Sequence, residues 1–228
     1  MRLSLIFILF FTVLAQYSYS QDWANLNRYK DKNDSLPLPV DSLTRVVFMG
    51  NSITEGWLGQ YPTYFFKHTS YINRGIGGQT TPQMLIRFRA DVINLHPKVV
   101  VILAGTNDIC GNTGPSTLEM IRDNIFSMAE LARVNGIKVV LCSVLPVYDY
   151  PWKPGLNPVE KIAKLNVMIK EYADFYCIPY VDYYAAMKDE QLGLKAELTY
   201  DSVHPNTAGY KIMEPLTEEG ILKALNQY

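Results

Sequence analysis

Over residues 43–228, short unbroken apolar runs alternate with longer segments in which apolar side chains return every three or four positions. The runs at 45–49, 71–74, 99–103, 138–143 and 179–181 are mostly rich in Val, Ile and Leu and lack in/out alternation. That pattern predicts five strands covered on both faces of a parallel sheet. Helical spacing marks 115–135, closed by Gly136, then 158–176, where Val159, Ile162, Leu165, Val167 and Ile169 recur, and 206–226, with a weaker helix over 81–95. Strand-helix alternation of this kind predicts a three-layer α/β/α sandwich with a five-stranded parallel sheet, flavodoxin-like in class. No internal repeat or low-complexity tract interrupts it.

The first residues follow a different pattern. Arg2 precedes an apolar stretch at 3–15 broken only by Ser4 and Thr12. It is too short for a span of about 20 residues and reads as a secretory signal peptide. Small residues at Ser18 and Ser20 place cleavage before Gln21, with no Cys nearby to carry a lipid. Residues 21–42, rich in Asp, Asn and Pro, form a polar leader, and 43–228 a single domain. No later apolar stretch is long enough to cross a bilayer, so stable membrane insertion is not expected.

Composition narrows the partners. With 48% hydrophobic and 19% charged residues and a net charge of -1, the chain can bury a full core, unlike a disordered, collagen-like or disulfide-dense chain. Its 21 Lys plus Arg stand against 22 Asp plus Glu without a basic run, which argues against nucleic acid. Cys110, Cys142 and Cys177 are odd in number and lack the spacing of a zinc site, so at least one thiol is free and no metal or other cofactor is expected. Cys142, inside an apolar run, reads as a small buried hydrophobe.

In doubly wound sheets, ligands bind beyond the carboxyl ends of the strands. Strand one ends in Gly50-Asn51-Ser52-Ile53. A Ser at that point can open a helix whose dipole favours a developing negative charge, or can simply cap it. Strand two ends in Asn73-Arg74-Gly75-Ile76-Gly77-Gly78, where glycines allow close backbone approach and a bare N–H, though such turns are common. Strand three runs into Gly105-Thr106-Asn107-Asp108, whose Asn is either an amide donor or a turn former. Asp201-Ser202-Val203-His204 precedes the last helix, with Pro205 suited to its first turn. Asp and His three apart can share a tight turn, the carboxylate fixing the tautomer of a general base. Together these groups supply each part of an acyl-transfer site.

These four blocks, in this order, resemble the SGNH hydrolase superfamily of GDSL-type esterases and lipases. The resemblance covers nearly the whole chain from Phe48 to the final helix. It implies Ser52 as nucleophile, His204 as base, Asp201 as its orienter, and an oxyanion hole made by the N–H groups of Ser52 and Gly78 with the Asn107 amide. The family usually has Asp before the nucleophile; Asn51 keeps hydrogen bonding there and loses a charge. The resemblance further implies carboxylic-ester hydrolysis of acetylated glycans, lysophospholipids, acetyl esters of the platelet-activating-factor type, or thioesters.

His68 and His96 read as structural or solvated, and Asp108 as a carboxylate that fixes its loop. There is no GxSxG elbow, which disfavours an α/β-hydrolase. Beyond strand four, residues 147–155 offer Tyr148, Tyr150 and Trp152 between two prolines, either a platform for a sugar ring or a loop that packs on the protein. The expectation is an exported esterase that removes small acyl groups, O-acetyl on carbohydrate first, with a small-molecule or glycan ester as its partner. The alternatives are a lipid acylhydrolase and a catalytically idle glycan-binding protein.

Overall fold

The computed structural model describes residues 22–40, 44–59, 64–67 and 70–227. The expected signal peptide and His68 lie outside these residues. Five parallel strands, β1 (Val46–Gly50), β2 (Tyr71–Gly75), β3 (Val99–Leu103), β4 (Lys138–Cys142) and β5 (Tyr180–Val181), form one sheet in the order β2-β1-β3-β4-β5. The register aligns Val46 with Tyr71 on one side and Val99 on the other, so the ends of β1, β2 and β3 finish level. That alignment gathers the loops at 51, 76 and 104 along one edge.

Among the described residues, eight α-helices accompany the strands: α1 (Lys30–Asp34), α2 (Ser52–Gly59), α3 (Thr81–Asp91), α4 (Thr106–Cys110), α5 (Leu118–Val134), α6 (Pro158–Phe175), α7 (Tyr183–Met187) and α8 (Thr207–Asn226). Alternate strand residues serve opposite layers, as the pleat requires. Val47, Met49, Val100, Ile102, Val139 and Leu141 pack with Phe88 of α3, Ile125 of α5 and Leu165 of α6. Val46, Phe48, Val99, Val101 and Val140 pack with Trp57 of α2, Tyr183 of α7 and Met213 of α8. Each such side chain contributes about 1.5–3 kcal/mol on full burial. Both faces being covered accounts for the unbroken apolar runs.

Helix boundaries follow local capping. The helix expected from residue 115 starts at Leu118, because Thr117 Oγ1 accepts the Met120 N–H at 3.2 Å. Asn206 caps α8 by accepting the N–H groups of Ala208 and Gly209 at 2.9 and 3.1 Å. The helix expected over 81–95 ends at Asp91; a 3₁₀ turn, Ile93–Leu95, follows, and the chain reverses at His96 with φ +51°. His96 is therefore a turn residue. Gly75 marks a close approach of β2 to α2: a Cβ there would stand 2.2 Å from the Glu55 N and 2.8 Å from the Asn51 O.

Residues 22–37, set apart on composition as a leader, form a strap across β2 and α3. Both its carbonyls and its side chains anchor it. Gln83 Nε2 donates to the Trp23 O at 2.6 Å, Gln79 Nε2 to the Ala24 O at 2.8 Å, and Arg45 Nη2 to the Pro37 O at 2.6 Å. The Tyr29 hydroxyl donates to the Gly75 O, and Asn33 joins the side chains of Arg74 and Asp91. Among the described residues, no helix is long and apolar enough to cross a membrane.

Candidate active site

Ser52 is the first residue of α2, directly beyond the end of β1. Asn51 before it is buried, and its Oδ1 accepts the Ile53 N–H at 3.2 Å. A neutral amide thus shapes the turn. The Ser52 hydroxyl lies 2.9 Å from His204 Nε2, although 152 residues separate them in sequence. On the far side of the ring, His204 Nδ1 stands 2.7 Å from Asp201 Oδ2. The carboxylate partner assigns the proton to Nδ1, which leaves the Nε2 lone pair to accept from the Ser52 hydroxyl.

The Asp201–His204 turn is built locally. Asp201 Oδ1 accepts the N–H groups of Val203 and His204 at 3.0 and 2.7 Å, while Ser202 takes φ +70° to make the bend. Thr199 Oγ1 donates to the His204 O at 2.7 Å and accepts the Asp201 N–H at 3.2 Å. Burial pushes the Asp201 carboxyl up, but the hydrogen bonds from His204 and Val203 outweigh it and hold the group below its ordinary value. The imidazole also stacks near two aromatic rings, Trp152 and Tyr200, each with its centroid 5.8 Å away.

On the other side of Ser52 lies the glycine loop. Gly77 is so close that a Cβ on it would come within 3.8 Å of Ser52 Cβ, and its N–H donates to Glu55 Oε2 at 2.8 Å. Arg28 of the strap holds the other oxygen of Glu55 at 2.8 Å. Gly78 next to it is exposed with φ +77°, a conformation that a side chain would strain. Asn107 is buried in α4, and its Nδ2 donates to the Gln79 O at 2.9 Å. An amide nitrogen carries two hydrogens, so a second N–H remains for a ligand. The N–H of Ser52, in the first turn of its helix, has no intrahelical acceptor either.

A buried polar network holds these donors. Arg87, fully buried, donates to Gln79 Oε1 at 2.6 Å, the Arg74 O at 2.8 Å, the Gly50 O at 3.0 Å and Asp91 Oδ2 at 2.9 Å. One guanidinium thereby ties the ends of β1 and β2 to the residue that receives Asn107. Asp108 accepts the Thr81 N–H at 2.9 and 3.1 Å and the Thr81 hydroxyl at 2.6 Å, fixing the asparagine loop to α3. Burial raises its carboxyl from 3.8 to about 6 despite those bonds. Asp108 is thus placed as a loop anchor.

The aromatic loop divides. Tyr148 and Trp152 are 60% and 51% exposed, but Tyr150 is fully buried, which corrects its assignment to the substrate face. Its hydroxyl donates to the Thr106 O at 2.8 Å and lies 3.0 Å from Thr106 Oγ1, so it braces the asparagine loop from behind. Glu55, Gln79, Arg87 and Tyr200 were not singled out in the sequence. The i,i+4 pair Arg87 and Asp91 inside an amphipathic helix was a legible signal, and Tyr200 lies only four residues before His204; Glu55 and Gln79 contact Gly77 and Ala24, 22 and 55 residues away. Cys110 and Cys142 are buried, Cys177 is exposed, all three are free, and burial pushes the Cys142 thiol up to about 12. Among the described residues, no group of three His, Cys, Asp or Glu side chains is placed to hold a metal ion.

The chain is similar to several known proteins. A Bacteroides fragilis protein described as an acylhydrolase has 50% identity and a TM-score of 0.87, covering 90% of this chain and 100% of that one. A GDSL-like lipase from Bacteroides thetaiotaomicron has 50% identity and a TM-score of 0.85, covering 88% and 98%. Human platelet-activating factor acetylhydrolase IB subunit alpha2 is 28% identical over 76% of this chain and 74% of its own length. The Xylanibacter ruminicola acetylxylan esterase is 26% identical over 82% of this chain, which spans 45% of that protein. The Bacillus subtilis lipoprotein YqeF is 31% identical over 46% of this chain and 49% of its own length. Residues 48–212 match the profile of the GDSL-like lipase/acylhydrolase family, and the chain belongs to that family, within the SGNH superfamily.

Proposed function

From that membership, which makes the chain a carboxylic ester hydrolase, we propose an exported serine esterase that removes small acyl groups, acetyl above all, from hydroxyls of carbohydrate. The observation that carries the chemistry is the continuous relay Ser52 Oγ, His204 Nε2, His204 Nδ1, Asp201 Oδ2, with contacts of 2.9 and 2.7 Å. Ser52 attacks the ester carbonyl as its proton passes to Nε2. The resulting oxyanion is received by the N–H groups of Ser52 and Gly78 and by Asn107 Nδ2. Collapse breaks the bond to the alcohol, which leaves with the proton from Nε2. Water, deprotonated in turn by His204, hydrolyses the acyl-enzyme and releases the acid and Ser52.

The names of two relatives, an acetylxylan esterase and an acetylhydrolase, support a small acyl group. Exposed Trp152 beside His204, where the alcohol departs, favours a ring-shaped alcohol. The acetylhydrolase relative, whose name refers to a platelet-activating factor, favours a second reading, a lipid acylhydrolase. A chain-length series of p-nitrophenyl esters, run beside acetylated xylo-oligosaccharide and lysophospholipid, tests both. Acetate should be the best acyl group and the acetylated sugar the best natural ester; preference for octanoate or lysophospholipid would overturn the reading. A strong chelator is expected to leave turnover unchanged, since the relay itself supplies the base for Ser52.

A further inference from the structure

A cleft of about 330 Å³ adjoins the glycine loop, lined in part by Ile76, Gly77 and Gly78. Its walls include Asp22, Trp23 and Asn25 of the strap, Gly78, Asn112 and Thr113. The volume is at the lower end of the range of about 300–1,000 Å³ typical of small-ligand sites. Trp23 is 49% exposed, yet its backbone is fixed by Gln83, and the next carbonyl by Gln79. An indole that is half exposed on a tethered backbone costs little ordering entropy when a ligand stacks on it. The cleft shares one residue with the reaction centre: the Gly78 O accepts from Asn112 Nδ2 at 3.0 Å, while the Gly78 N–H is the proposed oxyanion donor.

The lining selects a ligand class. It holds no Lys or Arg, so a phosphate or carboxylate has no cation to meet, and Asp22 would repel either. Its apolar members are Trp23 and Ile76, too few for the wall of an acyl chain. What remains is one aromatic face with amides, a hydroxyl and a carboxylate around it, chemistry suited to a neutral polyol whose ring has an apolar C–H face and a hydroxylated edge.

We propose that this cleft is a carbohydrate subsite, in which Trp23 stacks a sugar residue of the same glycan whose neighbouring unit carries the ester at Ser52. The proposal rests on the carbohydrate reading above for its substrate, and it adds that the enzyme acts on chains in preference to single sugars. Trp23 is a specificity residue supplied by the strap, outside the region matched by the family profile, 48–212.

The test compares acetylated xylose with acetylated xylotetraose. In the wild type kcat/KM should be at least about tenfold higher for the tetraose, the scale of one well-stacked ring. Trp23→Ala should abolish that gain through KM, Trp23→Tyr should restore most of it, and p-nitrophenyl acetate, too small to reach the cleft, serves as the control for a general defect. Equal losses on all three substrates would make Trp23 structural and overturn the proposal, as would no chain-length gain in the wild type. Binding of acetylated xylotetraose to Ser52→Ala, with and without Trp23→Ala, is measured by titration. If the enzyme cleaves lysophospholipid but no acetylated sugar, the substrate reading fails. The titration then decides the subsite separately: Trp23-dependent binding supports it, and absence of binding overturns it.

Discussion

Two aspartates support the candidate site, one in the His204 turn and one next to Asn107, and their carboxyls shift in opposite directions. Asp201, partly exposed, is held below its ordinary value by hydrogen bonds from its own turn. Asp108, buried among Thr81 and the asparagine loop, is raised to about 6 because its bonds do not offset the loss of water. The first belongs to a side of the site made of contacts spanning two to five residues, such as Asp201 to Val203 and Thr199 to His204. The second belongs to a side made of contacts spanning 27 or 28 residues, Thr81 to Asp108 and Asn107 to Gln79. Proton transfer needs a group that swings little and titrates; a local turn suffices. Oxyanion stabilisation needs donors fixed before charge develops, and a buried network provides that rigidity.

The sharpest way to test that division is to remove the atom on which both sides converge. Ser52→Ala should lower kcat by at least about 10³-fold with an unchanged Tm, because it leaves the two frameworks intact. Retention of most activity would refute the mechanism. On the network side, Asn107→Ala should cost about 10² to 10³ in kcat with little change in KM. A change confined to KM would make Asn107 a ground-state contact.

The two carboxyls also make opposite contributions to stability against pH. The folded state raises Asp108 above its unfolded value, so its contribution is fully present below 3.8 and is lost as pH rises through about 6. The loss is on the order of 3 kcal/mol by linkage. Asp201, being lowered, contributes above its unfolded value and is lost as pH falls through its lower folded one. Asp108→Asn should therefore gain stability at pH 7 relative to pH 4, compared with the wild type, in denaturant titrations at the two pH values. No difference between the proteins would show that burial does not perturb this group. The smallest effect is expected at Glu55. Glu55→Ala frees the Gly77 N–H and should reduce kcat about tenfold at constant KM, whereas Glu55→Gln keeps an acceptor and should recover most of the loss.

The same division explains what could be read from the chain. β3, Val99–Leu103, is wholly β-branched or Leu, and β4 carries Val139, Val140 and Leu141 in succession, so their burial on both faces was written in the residues themselves. The Asp201–His204 spacing was legible because the turn that joins them is local. Tyr150 was not: its burial depends on Thr106, 44 residues earlier, and nothing in the aromatic loop distinguishes it from Tyr148. The strap was invisible for a similar reason. Its polar composition suits a loose leader, and the side chains that hold it, Gln79, Gln83 and Arg45, are read elsewhere as parts of a loop, a helix and a strand entry. For Arg87 the spacing to Asp91 was legible, but not its bonds to the carbonyls of Arg74 and Gly50.

The manner of the strap's attachment bears on descent. At Trp23, Ala24 and Pro37 the domain grips main-chain oxygens, which every amino acid possesses. Inheritance can exchange the side chain at position 23 while the ribbon stays docked beside Gly78. A lineage meeting a new polymer could thus retune what it recognises by altering one codon, with no change to Ser52, His204, Asp201 or the donors that face the ester.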